Sequence, residues 1–389
     1  MFTLKVCIVK LGSSNYEYRS KQYQRMALGI WTGSNLILLF ILVCFTFTVS
    51  NMNGMTKKWL GRIGASVLVA YYKSEQWRKG RKVLDLLQEI QVNFTILKGL
   101  VSEWTTSRCQ IINIAGEIYL KTGYINRALW LLRESNWMTS SPAWPSDNLD
   151  VLNRHNFLFS LADETLKNNM YSETLEVLQH LPGLQKINGT FDVTSYAGIF
   201  NNLLDQCIQT NCLGVSSDTV EFMRSMNIPV NLLPVRNLIT ALGRSNLWLK
   251  ARNQYKKALS NGCYPPIEEN LYRKLLPIPC FLSEVEMMLA TEMFLVTNAS
   301  NIQSPSVSKQ SLQIVLRRYE DDSLFANGGY DAAVDRLLAA VRISEPKLQI
   351  KHTTVNIANE EIFSLEHSSA LRWLEQNMKW AGKVWLFGY

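Results

Sequence analysis

The sequence predicts a mainly α-helical chain: a degenerate solenoid of helical hairpins, followed by a small C-terminal α/β module. Two observations predict it. A turn signature recurs five times between Trp77 and Pro266, setting a large apolar residue three positions ahead of a small one: Trp77/Gly80, Ile125/Ala128, Tyr171/Thr174, Leu213/Ser216 and Trp248/Ala251. After Pro266 this pattern stops, and short apolar runs alternate with polar turns and three further helical stretches.

The signature has a physical reading. A small side chain one turn into the second helix lets two antiparallel helices approach closely, while the large one wedges the turn between them. Successive small positions lie 48, 46, 42 and 35 residues apart, so the early units carry longer loops or extra turns. This is the logic of tetratricopeptide and pentatricopeptide arrays, which bind ligands along their faces. The last two units resemble the pentatricopeptide pattern most, through Ala241-Leu242-Gly243-Arg244-Ser245-Asn246-Leu247-Trp248 at the inner turn and Asn261-Gly262-Cys263-Tyr264-Pro265-Pro266 at the exit. In that family each repeat reads one RNA base through a residue near the start of its first helix and one at its end. The equivalent positions here are Asn201 with Val230 or Asn231, and Arg236 with Pro266. Asn201 suits base reading and Arg236 with Pro266 does not, which points to nonspecific RNA or protein contact instead of a base code.

Length and a 47% hydrophobic content predict two or three domains with a large core. The net charge of +8 is concentrated at one end: residues 1–82 hold 13 Lys and Arg against Glu17 and Glu75, and the remaining 307 residues hold 27 against 30 acids. One basic stretch breaks the neutrality of the body. No acid occurs between Glu221 and Glu268, whereas Arg224, Arg236, Arg244, Lys250, Arg252, Lys256 and Lys257 do, interleaved with Trp248 and Tyr255. Such a surface holds phosphates through Arg244, Lys250, Arg252, Lys256 and Lys257 and stacks bases on Tyr255 or on Trp248, which also serves as the turn wedge, with Asn201 as a further RNA contact. The competing reading is a solvated helix face whose acids lie on a neighbouring unit.

The seven cysteines form no CxxC pair and sit mostly in apolar helical settings, as expected of reduced thiols in a reducing compartment. The four histidines, His155, His180, His352 and His367, lack partners at ligand spacing, and no HExxH, GxSxG or P-loop pattern occurs. A metal-dependent RNA-processing site would need converging carboxylates. Asp331 and Asp335 share one helical face but also suit a solvated helix start. Glu284 and Glu286, two apart, fall on different faces of a helix. Cys263 with Cys280 is a thiol pair on paper, better explained as buried structural cysteines. The expectation is a protein without enzymatic activity, cofactor or metal.

Residues 26–55 carry no charge, and an apolar run at 36–49 is flanked by Arg19, Lys21 and Arg25 before it and Lys57, Lys58 and Arg62 after it. Residues 29–49 just suffice for a membrane anchor. The alternatives are an N-terminal segment from an alternative start and, more weakly, a cleaved signal peptide. The expected division is therefore 1–55 as a basic and apolar segment, 56–266 as the repeat array, and 267–389 as a helix plus α/β module. Within that last part the periodicity predicts an amphipathic helix over 281–298 that closes the array, a polar loop over 301–308, a strand over 312–316 and an acidic turn at 320–322. A helix over 330–341, strands over 348–355 and 361–365, a helix over 368–384 and a docked aromatic end complete it.

Several C-terminal stretches carry a more specific likeness: Cys263-Tyr264-Pro265-Pro266, Leu275-Leu276-Pro277-Ile278-Pro279, Ser283-Glu284-Val285-Glu286, Asn298-Ala299-Ser300-Asn301-Ile302 and Met378-Lys379-Trp380-Ala381-Gly382-Lys383-Val384-Trp385. They resemble the C-terminal region of the testis- and ovary-specific PAZ domain-containing protein family, from about Trp77 onward. The apolar run at 36–49 does not match that family. The resemblance implies a vertebrate germ-cell protein of the cytosol that acts in spermatocyte progression and influences testis transcript levels; RNA or an RNA-regulatory protein along one side of the repeat array is the expected partner. The resemblance implies no biochemical activity.

Overall fold

The computed structural model describes residues 54–89, 108–138, 148–184, 192–264, 274–304, 312–318 and 330–386. The apolar run at 36–49, the acidic turn at 320–322 and the final three residues lie outside them. The chain forms two compact units, Met1–Asp192 and Val193–Tyr389. The boundary between units thus falls after the third hairpin, and the last two hairpins share a unit with the C-terminal module.

The first unit holds three hairpins: α1 (Gly54–Lys73) with α2 (Trp77–Glu89), α3 (Arg108–Lys121) with α4 (Ile125–Glu134), and α5 (Asn148–Lys167) with α6 (Tyr171–Gln179). The second opens with two more, α7 (Ala197–Gln209) with α8 (Leu213–Ser225) and α9 (Leu232–Arg244) with α10 (Trp248–Ser260). Each predicted large residue is the first residue of a second helix. Each predicted small residue, Gly80, Ala128, Thr174, Ser216 and Ala251, is buried. A Cβ on Gly80 would stand 3.0 Å from Ile118 of the next hairpin, so the smallness serves stacking between hairpins as well as within them.

All five turns share one backbone geometry. Two residues before each second helix the chain enters the left-handed region, at Glu75 (φ 53°), Gly123 (φ 81°), Asn169, Asn211 and Asn246 (φ 59° each). Glycine and asparagine take that conformation at the least cost, so the turn residues suit the turn, Glu75 excepted. The next amide then reaches back five residues to a carbonyl of the first helix: Gln76 to Tyr71 (2.9 Å), Tyr124 to Tyr119 (2.8 Å), Met170 to Thr165 (3.0 Å), Cys212 to Cys207 (2.7 Å) and Leu247 to Leu242 (2.9 Å). These bonds satisfy carbonyls that a helix end otherwise leaves open. Where the small residue is hydroxylic, its buried oxygen is paired. Thr174 meets the Thr165 hydroxyl at 3.0 Å, and Ser216 donates to the Cys212 carbonyl.

Hairpins stack first helix on first helix within each unit, α1 on α3 and α3 on α5 in one, α7 on α9 in the other. In the first unit the exit of the second hairpin is locked to the third. Arg154 of α5 donates to the Trp137 carbonyl at 2.8 Å, and the Trp137 ring stacks on His180 with centroids 4.0 Å apart. Nδ1–H of His180 donates to the Glu176 carbonyl at 2.8 Å.

Beyond α10 the second unit builds a four-stranded mixed sheet in the order β1-β2-β4-β3, from β1 (Leu275–Pro279), β2 (Leu312–Arg317), β3 (Ile350–Val355) and β4 (Glu361–Leu365). β1 runs parallel to β2, and the other two pairings are antiparallel. Between β1 and β2 the chain crosses over through α11 (Glu284–Thr297) and the short α12 (Ala299–Gln303); α13 (Tyr330–Ile343) and α14 (His367–Trp385) complete the module. The sequence reading has no strand at 275–279, because two prolines interrupt it. In the parallel pairing Lys274 and Cys280 bond toward β2, which turns the odd-numbered positions, Pro277 and Pro279 among them, to the outer edge. Proline is tolerated on an edge strand, where no ladder partner waits for its missing N–H.

The helix predicted to be amphipathic is instead the centre of the unit. α11 packs against α9, α10, α13, α14 and β1, and Val285 to Glu292 as well as Phe294 to Val296 are all buried. A Cβ on Gly243 of α9 would fall 2.4 Å from Val285, so glycine sets how closely the last hairpin meets α11.

Two outcomes are expected. Ala251→Leu should overpack the fifth turn and lower stability by about 1–3 kcal/mol, read as a drop in melting temperature. Burial lowers the His180 pKa below its ordinary value, so the folded chain binds fewer protons there than the unfolded one. The stabilisation is full above about pH 6.5 and lost as pH falls through the lowered folded value. Melting temperature measured from pH 7 to 5 should fall less steeply in His180→Gln than in the parent.

Candidate functional site

The predicted RNA surface lies on α9 and α10, and its electrostatics follow from three acids of α11 and one of α8. Arg244 makes a two-pronged ion pair with Glu284, at 2.7 and 3.1 Å. Arg252 pairs likewise with the buried Glu292, at 2.8 and 2.7 Å, and lies 4.2 Å from the Trp380 ring centroid. Lys257 meets Glu221 at 3.0 Å, and Lys256 donates to the Val384 carbonyl at 3.0 Å. Arg224 donates to Gln254 at 2.7 Å. Lys250 is exposed and has no ion pair or hydrogen bond among the described residues. Arg244 keeps 64% of its side chain in solvent although it is paired.

Two predicted contacts are placed inside the protein. Tyr255 is fully enclosed, its ring 4.9 Å from that of Tyr264 and 6.2 Å from that of Trp385, so it offers no face to a base. Burial first, and the Glu286 carboxylate second, push its hydroxyl well above the ordinary tyrosine range. Asn201, expected to read a base, is a buried clamp between hairpins. Its amide nitrogen donates to the carbonyls of Ala197 and Pro229, and its oxygen accepts from the Asn231 amide at 2.9 Å. It therefore joins the two residue positions that would form a base-reading pair.

The most constrained polar group of the unit joins two residues that the sequence places in unrelated settings, Arg236 in the basic stretch and Glu286 in the next helix. Arg236 and Glu286, with side chains 5% and 1% exposed, form a buried two-pronged ion pair at 2.8 and 3.2 Å. Arg236 also donates to the Phe281 carbonyl and stacks over the Phe281 ring at 4.6 Å. Glu286 also accepts from the Tyr264 hydroxyl at 2.8 Å and from the Ser283 amide at 2.9 Å, while the Ser283 hydroxyl accepts from the Glu286 amide. Burial opposes the Arg236 charge, and Glu286 more than restores it. One signal was legible: Ser283 followed three residues later by Glu286 is a capping box, which marks the start of α11.

The remaining candidates are dispersed. Asp331 and Asp335 are both exposed on α13, and no group of three or more His, Cys, Asp or Glu side chains suited to a metal occurs among the described residues. Glu284 and Glu286, on different faces of α11, are both engaged by arginines of α9. Burial pushes the Cys263 thiol up, with Arg224 acting in the other direction, and Cys280 is buried. Cys207 is pushed up to about 12 by burial and its neighbour Cys212. Among the described residues no helix is long and apolar enough to cross a membrane.

Two comparisons bear on this geometry. A protein-family model described as "Putative aspartate racemase" matches residues 43–160, less than a third of the chain. Within that stretch the described residues form α1 to α4 and the first part of α5, with no strand among them. A crystal structure of a Podosopora anserina "putative kinesin light chain" with nearly identical TPR-like repeats is similar at 14% identity, covering 54% of this chain and 96% of that one, with a TM-score of 0.24. The helical-repeat class rests on the five equivalent turns themselves.

Removing one partner of the buried pair, as in Arg236→Met, should cost about 3–5 kcal/mol in chemical denaturation. Arg236→Met combined with Glu286→Leu should recover most of that loss, since the cost lies in leaving a buried charge alone.

Proposed function

We propose that this chain is a non-enzymatic helical-repeat scaffold that docks protein partners in germ cells. The C-terminal resemblance to the testis- and ovary-specific PAZ domain-containing protein family supports the germ-cell setting, a cytosolic role in spermatocyte progression and an influence on testis transcript levels. One observation carries the docking reading. The outer side of α5 sets Leu152 and Phe159 in solvent one heptad apart, with His155 between them and stacked on Phe159 at 5.8 Å. Leu152, His155 and Phe159 lie on one side of the helix, and an apolar stripe of that kind is a docking face for a partner segment.

RNA contact through the fifth hairpin is the second reading. Exposed Lys250 and the solvent-facing Arg244 support it, but phosphate there must compete with Glu284 and Glu221 for Arg244 and Lys257. The non-enzymatic reading is supported by where the candidate groups lie. Asp331 and Asp335 are exposed, and burial pushes the Cys263 thiol up, away from the lowered range of a reactive cysteine. The racemase-model match is the rival. Racemisation withdraws a proton from one face of a carbon and returns one to the other, which requires two acid–base groups facing each other across a cleft.

Crosslinking of the full chain in germ cells should recover a defined protein set that persists at high salt. Leu152→Glu with Phe159→Glu should abolish its recovery, with the melting temperature changed little because both positions are exposed. An unchanged set in the variant contradicts the docking face, and formation of D-aspartate from L-aspartate by the purified chain contradicts the non-enzymatic reading.

A further inference from the structure

A dense run of cations opens α2 of the first hairpin, and among the described residues Arg81 alone of them has an acidic partner, Asp85 of the same helix at 3.5 Å. Four of the six residues from Trp77 to Lys82, at the start of α2, are basic: Arg78, Lys79, Arg81 and Lys82; α2 has no acid in its first turn. Cations there oppose the positive end of the helix macrodipole, so the arrangement is electrostatically uphill in the free protein. Arg78, Lys79 and Lys82 have no ion pair or hydrogen bond among the described residues. In the fifth hairpin, by contrast, Arg236, Arg244, Arg252 and Lys257 are each matched by an acid.

The patch continues onto α4. Arg81 lies 4.6 Å over the ring of Tyr124 at the start of that helix, and Arg127 donates to Gln88 of α2 at 2.6 Å. The two contacts hold the helices side by side. Along α4, Tyr124, Arg127 and Trp130 follow at three-residue steps, so they form one exposed ridge, with both aromatic residues 45% accessible. Aromatic faces beside unpaired cations suit a strand that offers bases and phosphates together. An acidic peptide would use the cations and leave the rings idle.

We propose that the face shared by α2 of the first hairpin and α4 of the second binds the phosphate backbone of single-stranded RNA through Arg78, Lys79, Lys82 and Arg127, with Tyr124 and Trp130 stacking bases. The reading goes beyond the protein-docking scaffold, which needs no nucleic acid, and it moves any RNA contact away from the fifth hairpin.

The test uses the full chain and a labelled 20-nucleotide oligouridylate in fluorescence anisotropy. For three to four phosphate contacts, affinity should fall about thirtyfold between 50 and 200 mM salt. Arg78→Gln/Lys79→Gln/Lys82→Gln, with its melting temperature checked against the parent, should flatten that dependence and weaken binding. Tyr124→Ala or Trp130→Ala should weaken it about tenfold while leaving the salt slope in place. Lys250→Glu should change neither. The proposal is overturned if the triple glutamine variant binds like the parent, if Lys250→Glu abolishes binding in its place, or if a poly-glutamate peptide competes as well as RNA. The last result would assign the face to an acidic protein.

Discussion

Everything in this chain depends on the close approach of two antiparallel helices at a turn that a single left-handed residue creates. The left-handed residue reverses the chain, the next amide bonds to a carbonyl five residues back, and the following large side chain starts the second helix. One turn later a small buried side chain lets the helices meet. The five turns, from Glu75 to Asn246, obey the same sequence of events although their spacing varies from 48 to 35 residues. Loop length is free to vary because closing a longer loop costs little, whereas the turn is not, because its hydrogen bond and contact leave no room for a larger group.

In the second unit a second constraint is added. The Arg236–Glu286 pair fastens α9 to the first turn of α11, and that turn is also the crossover between β1 and β2. The hairpin and the sheet therefore share one buried ion pair, one capping box and one apolar core. Arg244 with Glu284 and Arg252 with Glu292 repeat the pairing around it. The module is better described as built around α11 than as a cap laid on the end of an array, which is why the basic residues of the fifth hairpin appear unbalanced only when its sequence is read in isolation.

Local signals in the sequence carried the repeats, and long-range ones were hidden. Large and small residues three apart are neighbours through a turn, so all five pairs could be read directly; the asparagines at 169, 211 and 246 mark the same turns and went unused. β2, β3 and β4 followed from β-branched and apolar runs. β1 was concealed by Pro277 and Pro279, which an outer edge accommodates and a central strand would not. α11 was read as amphipathic because Val285, Met288, Leu289 and Phe294 recur at helical spacing, and nothing local shows that Glu284, Glu286 and Glu292 are paired. Their partners lie 40 to 50 residues earlier, beyond the reach of any periodicity. Tyr255 and Asn201 look like binding residues by type, and burial makes them structural. The first hairpin shows the converse: its charge excess was evident, and the structure adds that Arg78, Lys79 and Lys82 have no ion pair or hydrogen bond among the described residues.

The function proposed here uses these faces as they stand, with an apolar stripe on α5 for protein and a basic, aromatic ridge on α2 and α4 for RNA. Both rest on the hairpin geometry, which makes that geometry the claim to test most directly. Hydrogen–deuterium exchange of the turn amides of Gln76, Tyr124, Met170, Cys212 and Leu247 does so. The account predicts that all five are protected well beyond the solvent-facing amides around them, since each donates to a carbonyl of the preceding helix. Exchange at the unprotected rate in one or more of them would contradict a common turn, and with it the repeat architecture built on it.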